Sequence, residues 1–139
     1  MPGRASIPDP RVPDPRISDP RKLDQKRRLG ALGEDAAAAW YVARGFEVLD
    51  RNWRVREGEI DLVVRAGRVI VFCEVKTRSS DRFGIPAESV TATKQRRLRT
   101  LASRWFAAHP SLRGEVRFDV ASVTPGGESP AVTVLEAAF

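Results

Sequence analysis

Cysteine and histidine are almost missing from this chain. A single cysteine, Cys73, excludes an intramolecular disulfide and suits a reducing cytoplasm. A single histidine, His109, argues against an imidazole-bound zinc site, so any metal should sit on oxygen. No apolar run reaches the roughly 18 residues that a membrane-crossing helix needs, so no membrane role is expected. No basic-then-apolar leader opens the chain, which argues against secretion and for a cytoplasmic location. Lysine is scarce as well: Lys22, Lys26, Lys76 and Lys94 stand against twenty arginines. What is present is 139 residues, 42% hydrophobic and 30% charged, the composition and length of one globular domain.

The net charge is +6, but its distribution matters more than its sum. Residues 1–28 carry eight Lys/Arg and four Asp, whereas residues 29–139 carry sixteen basic and fourteen acidic side chains. The folded part is therefore only mildly basic, and nucleic-acid binding has to be argued from clusters. Six of the ten prolines also fall within residues 1–28, in the short repeat Ile7-Pro-Asp-Pro-Arg11, Val12-Pro-Asp-Pro-Arg16, Ile17-Ser-Asp-Pro-Arg21. Proline at this density removes backbone donors and biases each preceding residue away from helix. Residues 1–28 thus read as a disordered, Pro/Arg-rich arm, either an electrostatic arm that touches phosphates or a solvated leader.

From Asp24 the pattern changes. Leu29, Leu32, Ala36, Trp40 and Ala43 recur at helical steps, with Gly45 suited to the C-terminal cap. Strand-like runs follow at Phe46–Val55, Glu59–Arg65 and Arg68–Lys76, then a polar loop from Thr77 to Pro86. Thr93 can cap a second helix with the stripe Leu98, Leu101, Trp105, Ala108, which Pro110 stops. Val116, Phe118 and Val120 alternate as a strand, and Pro125-Gly-Gly127 turns into a last one from Ala131. The order α-β-β-β-α-β-β over residues 29–139 predicts an α/β fold, a mixed central sheet flanked by helices.

The informative segment runs from Gly58 to Lys76. A tight turn at Ala66-Gly67 sets Val63 against Ile70, Asp61 against Phe72 and Glu59 against Glu74. Alternation then gathers Ile60, Leu62, Val64, Val69, Val71, Cys73 and Val75 on one apolar face. The other face carries Glu59, Asp61, Glu74 and Lys76 near the open end of the hairpin. Like charges at cross-strand positions are destabilising. Either a divalent cation such as Mg²⁺ offsets them, or the patch is solvated and relieved by arginines such as Arg54 or Arg78. In a chain that otherwise prefers Arg, Lys76 reads as chosen for a compact ammonium beside a reacting water.

Asp61 followed by Glu74-Val-Lys76 resembles the Asp…Glu-x-Lys pattern of the restriction-endonuclease-like, or PD-(D/E)xK, nucleases. More of the chain agrees: Gly33-Glu34, Gly45-Phe-Glu-Val-Leu49, Asn52-Trp-Arg54, Gly58-Glu-Ile-Asp-Leu-Val63, Val71-Phe-Cys-Glu-Val-Lys-Thr-Arg78, Phe83-Gly-Ile-Pro-Ala-Glu-Ser-Val90, Lys94 and Arg117-Phe-Asp-Val120. In that order and spacing, residues 29–139 look like the bacterial YraN-like family of small proteins. Archaeal Holliday-junction resolvases are similar in their helix Glu, Asp and Glu-x-Lys arrangement. The resemblance implies a restriction-endonuclease-like core and Mg²⁺- or Mn²⁺-dependent cleavage of DNA phosphodiesters, with branched or junction DNA as the family-level substrate. It implies that Asp61 and Glu74 ligate the metal with the Val75 carbonyl, that Lys76 orients or activates water, and that Glu34 reaches in from the first helix. Glu59 and Lys94 would support the site. Two departures stand out: the proline-rich arm lies outside the family pattern, and Cys73 replaces a β-branched residue on the apolar face.

For polymer binding the sequence offers Arg96, Arg97 and Arg104 on the second helix, and Arg54 and Arg78 at the hairpin's open end, with Arg51, Arg56 and Arg82 as further rim residues. The bland reading is the ordinary solvated side of an amphipathic helix. Trp53 could stack on a base or pack in the core. Asp119 breaks the apolar alternation of its strand and is expected to partner a nearby arginine. The expected partner is a nucleic acid, most plainly DNA, and a homodimer is compatible with the sequence. The alternative to a nuclease is a non-catalytic nucleic-acid-binding module on the same fold; a structural or interaction protein is the third reading.

Overall fold

The computed structural model describes residues 19–78 and 90–139. Among these residues two helices and five strands follow in the expected order: α1 (Pro20–Val42), β1 (Glu47–Val55), β2 (Gly58–Ala66), β3 (Val69–Thr77), α2 (Ala92–Ala108), β4 (Glu115–Thr124) and β5 (Ala131–Leu135). The strands form one sheet in the order β1-β2-β3-β4-β5, with β3 and β4 parallel and every other neighbouring pair antiparallel. The α/β architecture with a mixed sheet is as expected. The loop expected at 77–86 lies, from residue 79 onward, outside the described residues, as do Arg82 and residues 1–18 of the arm.

The boundary of the arm moves. Helix α1 begins at Pro20, so residues 20–28 belong to a helix rather than to an extended segment. Asp19 caps it, accepting from Arg21 N at 3.0 Å, and Pro20 occupies the first turn, where its missing N–H costs nothing. After Pro20 the run Arg-Lys-Leu-Asp-Gln-Lys-Arg-Arg-Leu consists mostly of good helix formers. The second helix likewise starts earlier than expected: Thr91, not Thr93, is its cap, accepting from Lys94 N. Pro110 follows its end, and Gly45, at φ 87°, closes α1 as expected.

Both faces of the sheet are covered, one helix to each. Ala37, Ala38 and Tyr41 of α1 pack on Leu62, Val64, Val71, Cys73, Ala121 and Val123. On the opposite face, Leu98, Leu101, Ala102 and Trp105 of α2 pack on Ile60, Val63, Ile70, Phe72 and Phe118. The buried face of α1 is therefore rotated from the expected stripe: Gly33, Ala37, Ala38 and Tyr41 are buried, while Leu32 and Ala43 are exposed. Small residues win because they let the helix approach closely. At Gly33 an added Cβ would fall on Thr77 Oγ1. Trp53 packs against the α2-side cluster, the core role of its two readings.

The central hairpin differs in register. Gly67-Arg68 forms the turn, so Ala66 pairs with Val69, Val63 with Phe72 and Leu62 with Cys73. Gly67 adopts φ 57°, a conformation that suits the first central position of a two-residue hairpin. The slip from the expected register is two residues, which leaves every side chain on its face. Ile60 is the exception. It is buried with the α2-side cluster, although alternation had placed it with Leu62 on the other face. The change of side falls at Asp61, where the β2–β3 pairing also ends.

Close approach at Gly33 gives a direct test. Gly33→Ala should lower stability by about 1–3 kcal/mol, the usual cost of overpacking. Adding Thr77→Ala should recover part of the loss in a thermal or urea melt. A Gly33→Ala protein as stable as wild type would show that α1 is not held at this distance.

Candidate metal and nucleic-acid site

The site is built where β2 leaves β3. Asp61 has no ladder partner on β3; instead its Oδ2 accepts the backbone N–H of Val75 at 2.8 Å. Across β1, Asn52 lies at the same level, between the pairs Arg51–Leu62 and Trp53–Ile60. Asn52 has φ 51°, the left-handed region that Asn tolerates better than most residues. From there its Nδ2 donates to Glu34 Oε2 on α1 at 2.7 Å. The result is a cluster: carboxylate oxygens of Glu34, Glu59 and Asp61 lie within 4.8 Å of one another.

Glu74 stands beside this cluster on β3 and is buried. Its Oε1 accepts from Lys94 Nζ of α2 at 2.9 Å and lies 3.3 Å from Lys76 Nζ. Its Oε2 is buried without a hydrogen-bond partner among the described residues. An unsatisfied buried carboxylate oxygen carries a desolvation cost and asks for a ligand. Asp61 and Glu74 share one cleft of about 280 Å³ with Glu59, Val75, Lys76, Arg97 and Leu98.

Charge is unevenly relieved here. Glu59 faces Arg54 across the β1–β2 pair, 3.3 Å away, and Glu74 has two lysines. Glu34 has Asn52, with Arg51 Nη2 at 3.9 Å. Among the described residues, Asp61 has no cation within ion-pair distance. Burial, followed by repulsion from Glu34, Glu59 and Glu74, pushes its carboxyl up from 3.8 to about 6, against the lowering effect of the Val75 N–H bond. The chemistry of the donor set, hard carboxylate oxygens with an excess of charge at Asp61, fits a divalent cation such as Mg²⁺ or Mn²⁺.

Not every sequence-derived residue gathers here. Asp61, Glu74, Lys76, Glu34 and Lys94 converge, and Glu59, expected only to support the site, joins Glu34 and Asp61 directly. Val75 contributes its N–H to Asp61. Arg97 lines the cleft, but Arg54 is taken up by Glu59, and Arg104 by Glu57 at 2.6 Å. Arg96 contacts Thr93 on its own helix, and Arg78 is tied through its backbone N–H to Val123 O. Asp119 is a structural partner as expected, bonded to Arg117, Tyr41 and Ala137 N, away from the cleft. Cys73 is fully buried, its thiol pushed up to about 12 by burial, and acts as a small hydrophobe. Asn52 was missed as a site residue. Its signal was an asparagine inside a strand-like run, where that residue is disfavoured.

A family model described as "Uncharacterised protein family UPF0102" matches residues 33–123, most of the chain. The chain belongs to UPF0102. The YraN-like resemblance is consistent with this membership. A UPF0102 protein of Frankia casuarinae is 54% identical over 105 residues, covering 76% of this chain and 89% of its own. A UPF0102 protein of Anaeromyxobacter dehalogenans is 47% identical over 116 residues, covering 84% and 87%. One from Symbiobacterium thermophilum is 52% identical over 100 residues, covering 72% and 85%. The UPF0102 match spans Glu34, Asn52, Glu59, Asp61, Glu74, Lys76 and Lys94, and starts after Gly30.

The raised carboxyl of Asp61 has a sign that can be measured. Between about pH 4 and 6 the native protein holds a proton that the unfolded chain has released. Stability should therefore fall as pH rises through that window, by on the order of 2–3 kcal/mol in total. Asp61→Asn keeps an oxygen for the Val75 N–H and removes the charge. Melts in the absence of divalent ions should find the variant more stable than wild type at pH 8 and matched to it at pH 4. A gap of equal size at both pH values would refute this account of Asp61.

Proposed function

We propose that this UPF0102 protein is a divalent-metal-dependent nuclease that hydrolyses phosphodiester bonds of DNA, with branched or junction DNA as the substrate class that the resemblance suggests. The observation that carries this reading is the meeting of Glu34, Glu59 and Asp61 within 4.8 Å. Beside them stand a buried Glu74 with a free oxygen and the two lysines that hold its other oxygen. Asp61, Glu74 and Glu34 are the residues that would hold Mg²⁺ or Mn²⁺, with Glu59 as a neighbouring carboxylate. When bound, such an ion supplies charge compensation for the scissile phosphate and a water of lowered pKa.

The protein's own residues divide the remaining work. Asp61, unpaired by any cation among the described residues, binds an incoming positive charge at the least cost, because that charge relieves existing repulsion. The Val75 N–H fixes the orientation of its carboxylate. Lys94 is the less exposed of the two lysines, at 24% against 38%, and makes the shorter contact to Glu74. It neutralises Glu74 and leaves Lys76 able to turn toward the water or the phosphate. Lys76 acts there as a positioned cation, stabilising charge that develops on phosphate oxygens. Arg97, on the rim of the same cleft, is placed to meet a neighbouring phosphate.

The test joins binding and turnover. Wild-type protein should bind Mn²⁺ by calorimetric titration, and Asp61→Asn should lose that heat. On single-stranded, duplex, flap and four-way DNA with Mn²⁺, wild type should cut at least one substrate. Lys76→Met should lower its rate by about two orders of magnitude or more while DNA affinity changes little. Wild type that binds DNA but cuts none of the panel would leave a binding module in place of the nuclease. Full-rate cleavage by Lys76→Met would remove the role given to that lysine.

A further inference from the structure

A second groove reaches Asp61 from the other side of the sheet end. It has a volume of about 630 Å³ and shares Glu59 and Asp61 with the first cleft. One wall is a single face of α1: Leu23, Lys26, Arg27, Gly30, Ala31 and Glu34, spaced at helical steps over three turns. The other wall is Asn52, Arg54, Glu59 and Asp61 on the β1–β2 hairpin. Charge is sorted along this groove. Glu34, Glu59 and Asp61 crowd one end, and Lys26 and Arg27 stand about two helical turns away at the other. Among the described residues Lys26 and Arg27 enter no ion pair, whereas Arg21 and Arg28 of the same helix are paired with Asp19 and Asp24.

Gly30 is the second observation. A helical glycine is disfavoured by about 1 kcal/mol relative to alanine. At Gly33 that cost has a packing reason, the contact with Thr77. At Gly30 a Cβ would meet nothing within 4 Å, so the fold does not require the glycine. What its missing side chain does is keep the groove open between the basic end and the carboxylates.

The geometry points to this α1-side groove as the seat of one strand of the nucleic acid. The strand would run past Asp61 with its phosphates beyond the cleavage point held by Lys26 and Arg27. This deepens the nuclease reading and rests on it for the identity of the ligand. An extended strand supplies a regular row of anions that matches cations set apart from the metal end. Bases facing Leu23 and Ala31 would find apolar surface rather than hydrogen-bond donors, which favours binding without sequence preference. The groove begins before the span matched by the family model, so the binding wall is contributed by a part of α1 outside the matched core.

The experiment uses the full chain and a fluorescently labelled 20-nucleotide oligothymidine, read by anisotropy in Ca²⁺, with Mn²⁺-dependent cleavage of the single-stranded, duplex, flap and four-way panel read in parallel. Gly30→Leu, which should preserve or raise helix stability, is expected to weaken binding at least tenfold by filling the groove. Lys26→Gln with Arg27→Gln should weaken it and flatten the plot of log affinity against log salt by about 1.4 units, about 0.7 per phosphate contact. Arg28→Gln removes the same charge from another face of α1 and should leave affinity within about twofold. A loss from Arg28→Gln as large as that from the double variant would reduce the effect to general attraction and overturn the groove. Wild type without measurable affinity for the oligonucleotide would overturn it as well. Variants that bind and cut like wild type would overturn the groove and leave the nuclease reading standing. Wild type that cuts nothing, with binding lost in Gly30→Leu and in the double variant, would support the groove and sink the nuclease.

Discussion

The hydrogen bond from Val75 N–H to the Asp61 carboxylate governs the layout of this protein's working end. It takes the place of a ladder bond just where β2 parts from β3. A side chain has replaced a backbone carbonyl as acceptor, so the strands can separate without leaving a buried donor unpaired. That separation lets Ile60 turn to the α2 side while Leu62 stays on the α1 side. It also holds a carboxylate between the two faces, where helices from both can reach it. Burial first, and then repulsion from Glu34, Glu59 and Glu74, raises the Asp61 carboxyl there.

Covering both faces of the sheet is what completes the site. Helix α1 brings Glu34 from one side and α2 brings Lys94 from the other. One of the two would be missing if the hairpin had one solvated face. The small residues Gly33, Ala37 and Ala38 bring α1 close enough for Glu34 to meet Asp61, and the buried stripe of Leu98, Leu101 and Trp105 sets the first turn of α2 over Glu74. The cost of gathering four carboxylates is spread over several partners: Arg54 for Glu59, Asn52 for Glu34, and Lys76 with Lys94 for Glu74. Among the described residues, Asp61 is left without a cation and Glu74 Oε2 without a hydrogen-bond partner. Metal affinity in the proposed nuclease would come from that imbalance rather than from a pre-neutralised pocket.

Strand order, helix order and the acidic end of the hairpin were legible in the residues. The strands alternate or run apolar over short stretches bounded by Gly, and Pro110 marks a helix end, all local signals. The register was not legible, because Ala66-Gly67 and Gly67-Arg68 both keep the same residues on the same faces. Only the pairing of Ala66 with Val69 separates them. The start of α1 was hidden because prolines up to Pro20 look like the continuation of a disordered run, although proline in a first helical turn is favourable. Its buried face was misread because large apolar residues outweigh Gly and Ala in a periodicity count, while close packing on Thr77 selects the small ones.

The sequence by itself determined which groups could do chemistry: oxygen ligands in place of sulfur or imidazole, a Glu-x-Lys pair on one strand, and an aspartate on the strand before it. These follow from residue type and from the two-residue period of a strand, which need no knowledge of distant contacts. Only the tertiary structure decided which of them share a site. Glu34, Asn52 and Lys94 lie 27, 9 and 33 positions from Asp61 along the chain, and their approach depends on how helices settle on the two faces of the sheet. It also decided which arginines are spent, since Arg54 and Arg104 find Glu59 and Glu57 only once the hairpin and α2 are in place. Long-range pairing of charges is set by packing geometry, and packing geometry is what a linear pattern does not contain.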